Sequence, residues 1–258
     1  MTASNAPSER LRIGLLQCGH IVPTVAEGGR DYVDLFGALL GPHRVELTVT
    51  HVDHGDQPHD TDVDGWLISG SPASVYDDLP WIASTEDLVR RVVDAGQPVV
   101  GICFGHQLLA QALGGRVERA GVGWGAGIHT YDLADGWFAD GTGPVDRDES
   151  HDHGDAGTIS LIASHQDQVV EMPDGARLAA RTDHCPIAAF TIGAQVLSIQ
   201  PHPEFTIGLS RELSTQRRER MGADTTDAAI GSLSGPGAER VAADAARVAE
   251  RMVATWRT

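Results

Sequence analysis

Apolar residues in the first half of the chain fall into two alternating rhythms. Short apolar or alternating runs occur at 11–16, 45–50, 65–69 and 98–102. Each has strand length, and the richest are apolar almost throughout, as buried strands are. Between them lie segments with helical spacing. Residues 31–40 predict a short helix closed by Gly41-Pro42. Ser84-Thr85-Glu86-Asp87 reads as a capping signal opening another helix, with Leu88, Val92 and Val93 as its apolar face and Gly96 as its end. Such alternation predicts an α/β fold: a doubly wound, mostly parallel sheet flanked by helices.

The later half is richer in short strands, at 126–133, 158–163, 176–181, 187–192 and 195–200. Some are expected to pair as hairpins beside the main sheet, as a small accessory antiparallel sheet. Residues 134–157 are polar, acidic and Gly-rich without periodicity, and read as an inserted loop. Residues 222–237, ending Gly235-Pro236-Gly237, read as a linker. Val241, Ala245, Val248, Met252 and Trp256 then follow helical spacing and predict an amphipathic helix packed on the domain. On this reading residues 1–258 form a single domain, with a core over about 11–205 and a helical extension over 206–258.

Composition narrows the partners. The 258 residues are 41% hydrophobic, enough for a full core, and carry a net charge of -17. That balance argues against nucleic acid and anionic membrane surfaces, which need a basic footprint. No apolar run approaches the ~18 residues of a spanning helix. Residues 1–10 are polar and lack the apolar segment of a signal peptide. Cys18, Cys103 and Cys185 have no disulfide or metal spacing. Together these features predict a cytoplasmic protein. His51-Val52-Asp53-His54 with His59, and Ser150-His151-Asp152-His153, read as solvated polar surface, so no metal is expected.

The candidate chemistry centres on Gly101-Ile102-Cys103-Phe104-Gly105-His106-Gln107. A strand runs into Cys103 and a helical run follows at once. Gly101 and Gly105 flank the cysteine in the spacing of a nucleophile elbow, where a tight strand-to-helix turn leaves no room for flanking side chains. A helix N-terminus beside the sulfur favours its thiolate form. Farther on, an alternating strand ends at Gln200 and leads into Pro201-His202-Pro203-Glu204. A cysteine nucleophile needs a base, and the base needs a group to orient its ring. His202 and Glu204 suit those roles, and the prolines stiffen the segment between them.

These motifs together resemble the triad-type class I glutamine amidotransferase family. Three further stretches agree. Gly65-Trp66-Leu67-Ile68-Ser69-Gly70-Ser71-Pro72 resembles the family's oxyanion strand, Gly123-Trp124-Gly125 its Gly-Trp motif, and Ser164-His165-Gln166-Asp167-Gln168-Val169 its substrate-side loop. The resemblance implies Cys103 as nucleophile, His202 as base and Glu204 as orienting carboxylate. It implies oxyanion donors at the backbone N–H groups of Phe104 and Ser71. It also implies a substrate pocket bounded by Gly70, Gln107, His165 and Asp167. Ser71 stands where many members have the second glycine of Gly-Gly-Pro.

The implied activity is cleavage of a γ-glutamyl amide through a Cys103 thioester, with no cofactor. Glutamine would give glutamate and ammonia, and the ammonia would pass to a partner synthetase, since this chain has no ATP-binding motif. The alternative is a stand-alone γ-glutamyl peptidase acting on a conjugate. A silent binding or regulatory module is the third reading, against which the intact Cys103, His202 and Glu204 argue.

Overall fold

The computed structural model describes residues 10–22, 28–58, 62–134, 137 and 157–258. The chain opens with β1 (Leu11–Gln17), α1 (Tyr32–Leu40), β2 (Val45–His51) and β3 (Gly65–Ile68). Then come α2 (Pro80–Asp94), β4 (Val99–Ile102) and α3 (Phe104–Ala112). A run of strands follows: β5 (Arg116–Arg119), β6 (Gly125–Leu133), β7 (Thr158–His165), β8 (Asp167–Glu171), β9 (Arg177–Arg181), β10 (Ala189–Ile192) and β11 (Val196–Ile199). Four helices close the described chain: α4 (Ile207–Gln216), α5 (Arg218–Met221), α6 (Ala223–Ser232) and α7 (Val241–Thr255).

Among the described residues, nine strands form one sheet in the order β2-β1-β3-β4-β11-β10-β9-β6-β7. The five from β2 to β11 are mutually parallel, and the rest run antiparallel. Core residues alternate between the two faces, as the strand period requires. Ile13, Leu15, Leu67 and Val100 pack with Leu35 and Phe36 of α1 and Val248 and Met252 of α7. Leu16, Trp66, Ile68 and Val99 pack with Leu88, Val89 and Val92 of α2 and Leu108 and Leu109 of α3. This is the expected doubly wound arrangement. The carboxyl ends of the parallel strands, where such sheets bind ligands, carry the segments at His20, Gly70, Cys103 and His202.

Several local expectations change. The expected small accessory antiparallel sheet is present, while β6, β7, β9, β10 and β11 extend the main sheet. The small separate sheet is β5 with β8, so Asp167 opens a strand instead of lying in a loop. Helix α2 starts at Pro80, a turn before the Ser84 capping signal. Proline at the first helical position has a preset φ and no N–H to leave unpaired, and Ile82 is already buried, so the apolar face begins earlier. Residues 223–232, expected as linker, form α6. Gly222 precedes it at φ 84°, and Thr226 and Ala229 are buried. Gly127 at φ 80° makes room for that helix: a Cβ there would lie 2.4 Å from Ser232 Oγ and 2.7 Å from Ala229 O.

The final helix behaves as its pattern predicts, with Val241, Ala245, Val248, Met252 and Trp256 all buried. The Trp256 indole donates to Trp66 O at 3.1 Å, tying the end of the chain to β3. Most of the 134–157 insert, with His151 and His153, lies outside the described residues, as does His59. No helix among the described residues is long and apolar enough to cross a membrane.

Candidate active site

Cys103 stands between β4 and α3 at φ 55°, ψ -102°. Positive φ is uncommon for a side chain with a Cβ and costs about 1–3 kcal/mol. The turn is held against that cost from three sides. Cys103 N–H donates to Ile199 O at 2.9 Å, Gln107 N–H to Cys103 O at 3.1 Å, and Gly105 N–H to Ser69 O at 3.2 Å. The flanking glycines are steric necessities. A Cβ on Gly101 would lie 2.4 Å from Gly105 O, and one on Gly105 would lie 2.5 Å from Ile68 O.

His202 follows β11 and is pinned by its own N–H to Ile162 O of β7 at 2.8 Å. Its Nδ1 donates to Glu204 Oε1 at 2.7 Å, and both side chains are buried. The Cys103 side chain is close enough to the ring to influence its protonation. Phe205 stacks on the imidazole at 3.8 Å between centroids, 11° from parallel. The ring also abuts Gly70, where a Cβ would lie 3.1 Å from His202 Cε1 and 2.6 Å from Tyr32 Oη. Imidazole position is thus set by a carboxylate, an aromatic ring and a missing side chain. Burial alone would lower the His202 pKa. The neighbouring Glu204 carboxylate and Cys103 outweigh burial and raise it well above the ordinary histidine value.

The other expected residues surround a pocket lined by Ser71, Cys103, Phe104, Gln107, His165 and Asp167. Phe104 is the first residue of α3, so its N–H has no acceptor within the helix. Several neighbours are occupied in holding the walls. Gln107 Nε2 donates both protons, to Asp167 O at 2.9 Å and Gln200 Oε1 at 3.1 Å. The Asp167 carboxylate accepts from Ser74 Oγ at 2.5 Å and Tyr76 Oη at 2.8 Å, clamping the loop that follows Ser71-Pro72. His165 is buried with Nδ1 against Asp167 O at 3.2 Å. Burial drives its pKa down to about 3, so it stays neutral.

Sequence reasoning missed the far wall. Arg217 and Arg220, at the junction of α4 and α5, line the pocket with Trp124 and Ser164. Arg217 donates to Ser164 Oγ at 2.7 Å. Both guanidinium carbons lie over the Trp124 ring, at 5.9 and 5.6 Å from its centroid, within cation–π range. The available signal was the basic run Arg217-Arg218-Glu219-Arg220 in an otherwise acidic chain, with Trp124 at a Gly-flanked turn.

A strained cysteine elbow thus stands beside a buried imidazole–carboxylate pair at the carboxyl end of a doubly wound sheet. Residues 35–217 match the family model described as glutamine amidotransferase class-I, and the chain belongs to that family. Gamma-glutamyl peptidase 3 of Arabidopsis thaliana is 29% identical over 206 residues, covering 76% of this chain and 77% of that protein. GMP synthase [glutamine-hydrolyzing] of Thermus thermophilus is 38% identical over 143 residues, covering 54% of this chain but 24% of that longer protein. The crystal structure of a glutamine amido transferase from Methylobacillus flagellatus shares the fold with a TM-score of 0.70 at 24% identity, covering 96% of this chain and 94% of the other.

Proposed function

We propose that this protein hydrolyses γ-glutamyl amides, glutamine among them, through a thioester on Cys103. The observation that carries the reading is the strained Cys103 elbow beside the hydrogen-bonded His202–Glu204 pair. His202 takes the thiol proton and Glu204 stabilises the imidazolium that results. The thiolate attacks the side-chain amide carbonyl. The backbone N–H groups of Phe104 and Ser71 receive the developing oxyanion, a contribution of about 2.7–4 kcal/mol per donor. His202 returns the proton to the departing nitrogen. Water, activated by the same imidazole, then cleaves the thioester and frees the γ-carboxylate. Gly70 shapes the floor beneath His202, while Gln107, His165 and Asp167 hold the walls that receive the amino-acid end. Residues 1–258 act as one such unit, and the released ammonia passes to a synthetase partner.

A second reading is favoured by the arginine wall. Arg217 and Arg220 set two cations in the pocket that Cys103 also lines, in a chain of net charge -17. Cations there suit a carboxylate on the leaving group, which ammonia does not have but an amino acid or peptide does. That supports a stand-alone peptidase acting on γ-glutamyl conjugates. The relative named gamma-glutamyl peptidase 3 covers more of this chain than the GMP synthase does, which supports the same reading.

The test is release of glutamate from a panel of γ-glutamyl compounds, glutamine and γ-glutamyl dipeptides together, by the purified chain alone. Slow glutaminase activity without conjugate cleavage keeps the amidotransferase reading. Brisk cleavage of conjugates bearing a free carboxylate establishes the peptidase. An adduct of glutamate mass on Cys103 should be trapped by acid quench in either case; its absence with both substrate types would sink both.

A further inference from the structure

A second cluster of ionisable side chains stands at the carboxyl end of the same sheet. In register, Gln17 of β1 lies opposite His51 of β2, so the segments leaving these strands run side by side. His20 comes from the first. His51 ends β2, and Asp53 and His54 lie in the short 3-10 turn Val52–His54 that follows. Buried Val52 anchors that turn, and Gly55 at φ 87° ends it. The sequence pattern had presented His51, Asp53 and His54 as ordinary surface; the fold adds His20 to them.

The geometry is that of a ligand set. One donor atom from each of His20, His51, Asp53 and His54 lies within 4.8 Å of every other. His20 Nε2 is 3.4 Å from Asp53 Oδ2, and His54 Nε2 is 3.9 Å from the same oxygen. Zinc bonds of about 2.0–2.1 Å in a tetrahedron set donors about 3.3–3.5 Å apart, so small side-chain rotations complete the shell. The three imidazoles stack with centroids 5.3–5.5 Å apart. Such an arrangement leaves like charges adjacent if the rings protonate, and a metal needs them neutral.

Two more observations point to a ligand. His51 Nδ1 is a buried atom without a hydrogen-bond partner among the described residues, and so is Asp53 Oδ1, the oxygen beside the Oδ2 that faces His20 and His54. Buried polar atoms are ordinarily satisfied. His20 Nδ1 donates to Asp31 Oδ2 at 2.5 Å, which turns its Nε2 toward Asp53. A histidine held by a carboxylate through one nitrogen, with the other facing the ligand cluster, is the usual outer-shell arrangement of metal sites.

We propose that His20, His51, Asp53 and His54 bind one divalent transition-metal ion of the zinc type. Three imidazoles and one carboxylate select such ions over magnesium or calcium, which prefer all-oxygen shells. Four protein ligands make a closed, structural site. The ion clamps the segment after β1 to the turn after β2. That segment packs on the Ser71-Pro72 stretch: a Cβ on Gly19 would lie 2.6 Å from Pro72 Cδ and 3.2 Å from Ser71 Cα.

The test is titration of the EDTA-stripped full chain with zinc chloride by calorimetry, with cobalt(II) as spectroscopic probe. One ion per chain is expected, with a cobalt spectrum lacking thiolate charge transfer. Cys103→Ser should bind as tightly as wild type, because the candidate catalytic sulfur is not a ligand. His54→Asn should weaken binding at least about tenfold while leaving the metal-free circular dichroism unchanged, since the His54 side chain is 61% exposed. Asp31→Asn keeps a helix cap and should weaken binding by about 10–100-fold. No binding by wild type, loss of binding in Cys103→Ser, or full binding by a His20→Asn/His54→Asn double variant would each overturn the site. So would loss of binding in a His151→Ala/His153→Ala variant.

Discussion

Two histidine sites lie at the carboxyl ends of strands in one sheet, and they are built in opposite ways. His202 is buried, and its ring is fixed by Glu204, Phe205 and the bare Cα of Gly70. At His20, His51 and His54 the rings stack on one another, exposure is partial, and buried polar atoms lack partners. Each hydrogen bond at the first site sets one ring for proton transfer. The second offers several donors converging on one point. Burial with a single carboxylate partner suits an acid–base group, whereas convergence of several donors, one ring held from behind by Asp31, suits a ligand shell.

The largest expected effect separates the sites by chemistry. Cys103→Ala and His202→Ala should each lower kcat for γ-glutamyl amide hydrolysis by about 10⁴–10⁶-fold, read by glutamate release. His54→Asn should leave that kcat unchanged. Cys18→Ala and Cys185→Ala should also retain activity, because burial raises both thiols well out of the reactive range. An inactive Cys18→Ala that folds normally would remove Cys103 from its proposed role.

Glu204→Gln should reduce kcat by about 10³–10⁴-fold, and it carries a pH signature. The folded His202 pKa lies above its unfolded value, so its contribution to stability is present in full below about pH 6.5 and is lost as pH rises through the raised value. Without the carboxylate that dependence shrinks to the part that Cys103 supplies. Unfolding free energies of wild type and Glu204→Gln, measured by urea titration, should therefore converge as pH rises from 6 to 9. A gap that widens with pH would contradict the ion pair.

A smaller effect is expected on the pocket's far wall. Arg217→Ala should raise KM for a carboxylate-bearing γ-glutamyl dipeptide by about tenfold, the order of one charge-assisted hydrogen bond, with little change for glutamine. Equal losses on both substrates would assign Arg217 to holding Ser164 and Trp124, not to the leaving group. The smallest effect is on stability: in EDTA, His54→Asn should shift unfolding by no more than about 0.5 kcal/mol.

How much of this was legible follows from range. The elbow is a local object: Gly101, Cys103 and Gly105 lie within one turn, so steric need shows directly in residue type. His202 and Glu204 are likewise close in sequence, and their salt bridge could be anticipated. The amphipathic pattern of α7 was equally plain, because all its buried residues fall on one helical stripe. Asp167 stands out in the sequence, but its partners Ser74 and Tyr76 do not, since they precede it by 93 and 91 residues. Helix α6 was misread because Gly, Ser, Asp and Thr favour turns locally. Its stability comes from packing on β6 beside Gly127, which composition does not reveal.

The sequence by itself determined the strand–helix alternation, the nucleophile-elbow spacing and the acidic charge, since each depends on neighbours along the chain. Only the tertiary structure decided which distant groups would meet. Sheet order brought β11 beside β4, and so His202 to Cys103. It paired β1 with β2, and so His20 with Asp53. Helices α4 and α5 carried Arg217 to Trp124. A single sequence states none of these meetings, because strand order depends on which buried faces fit together across the whole core, and that is a property of packing and not of any segment.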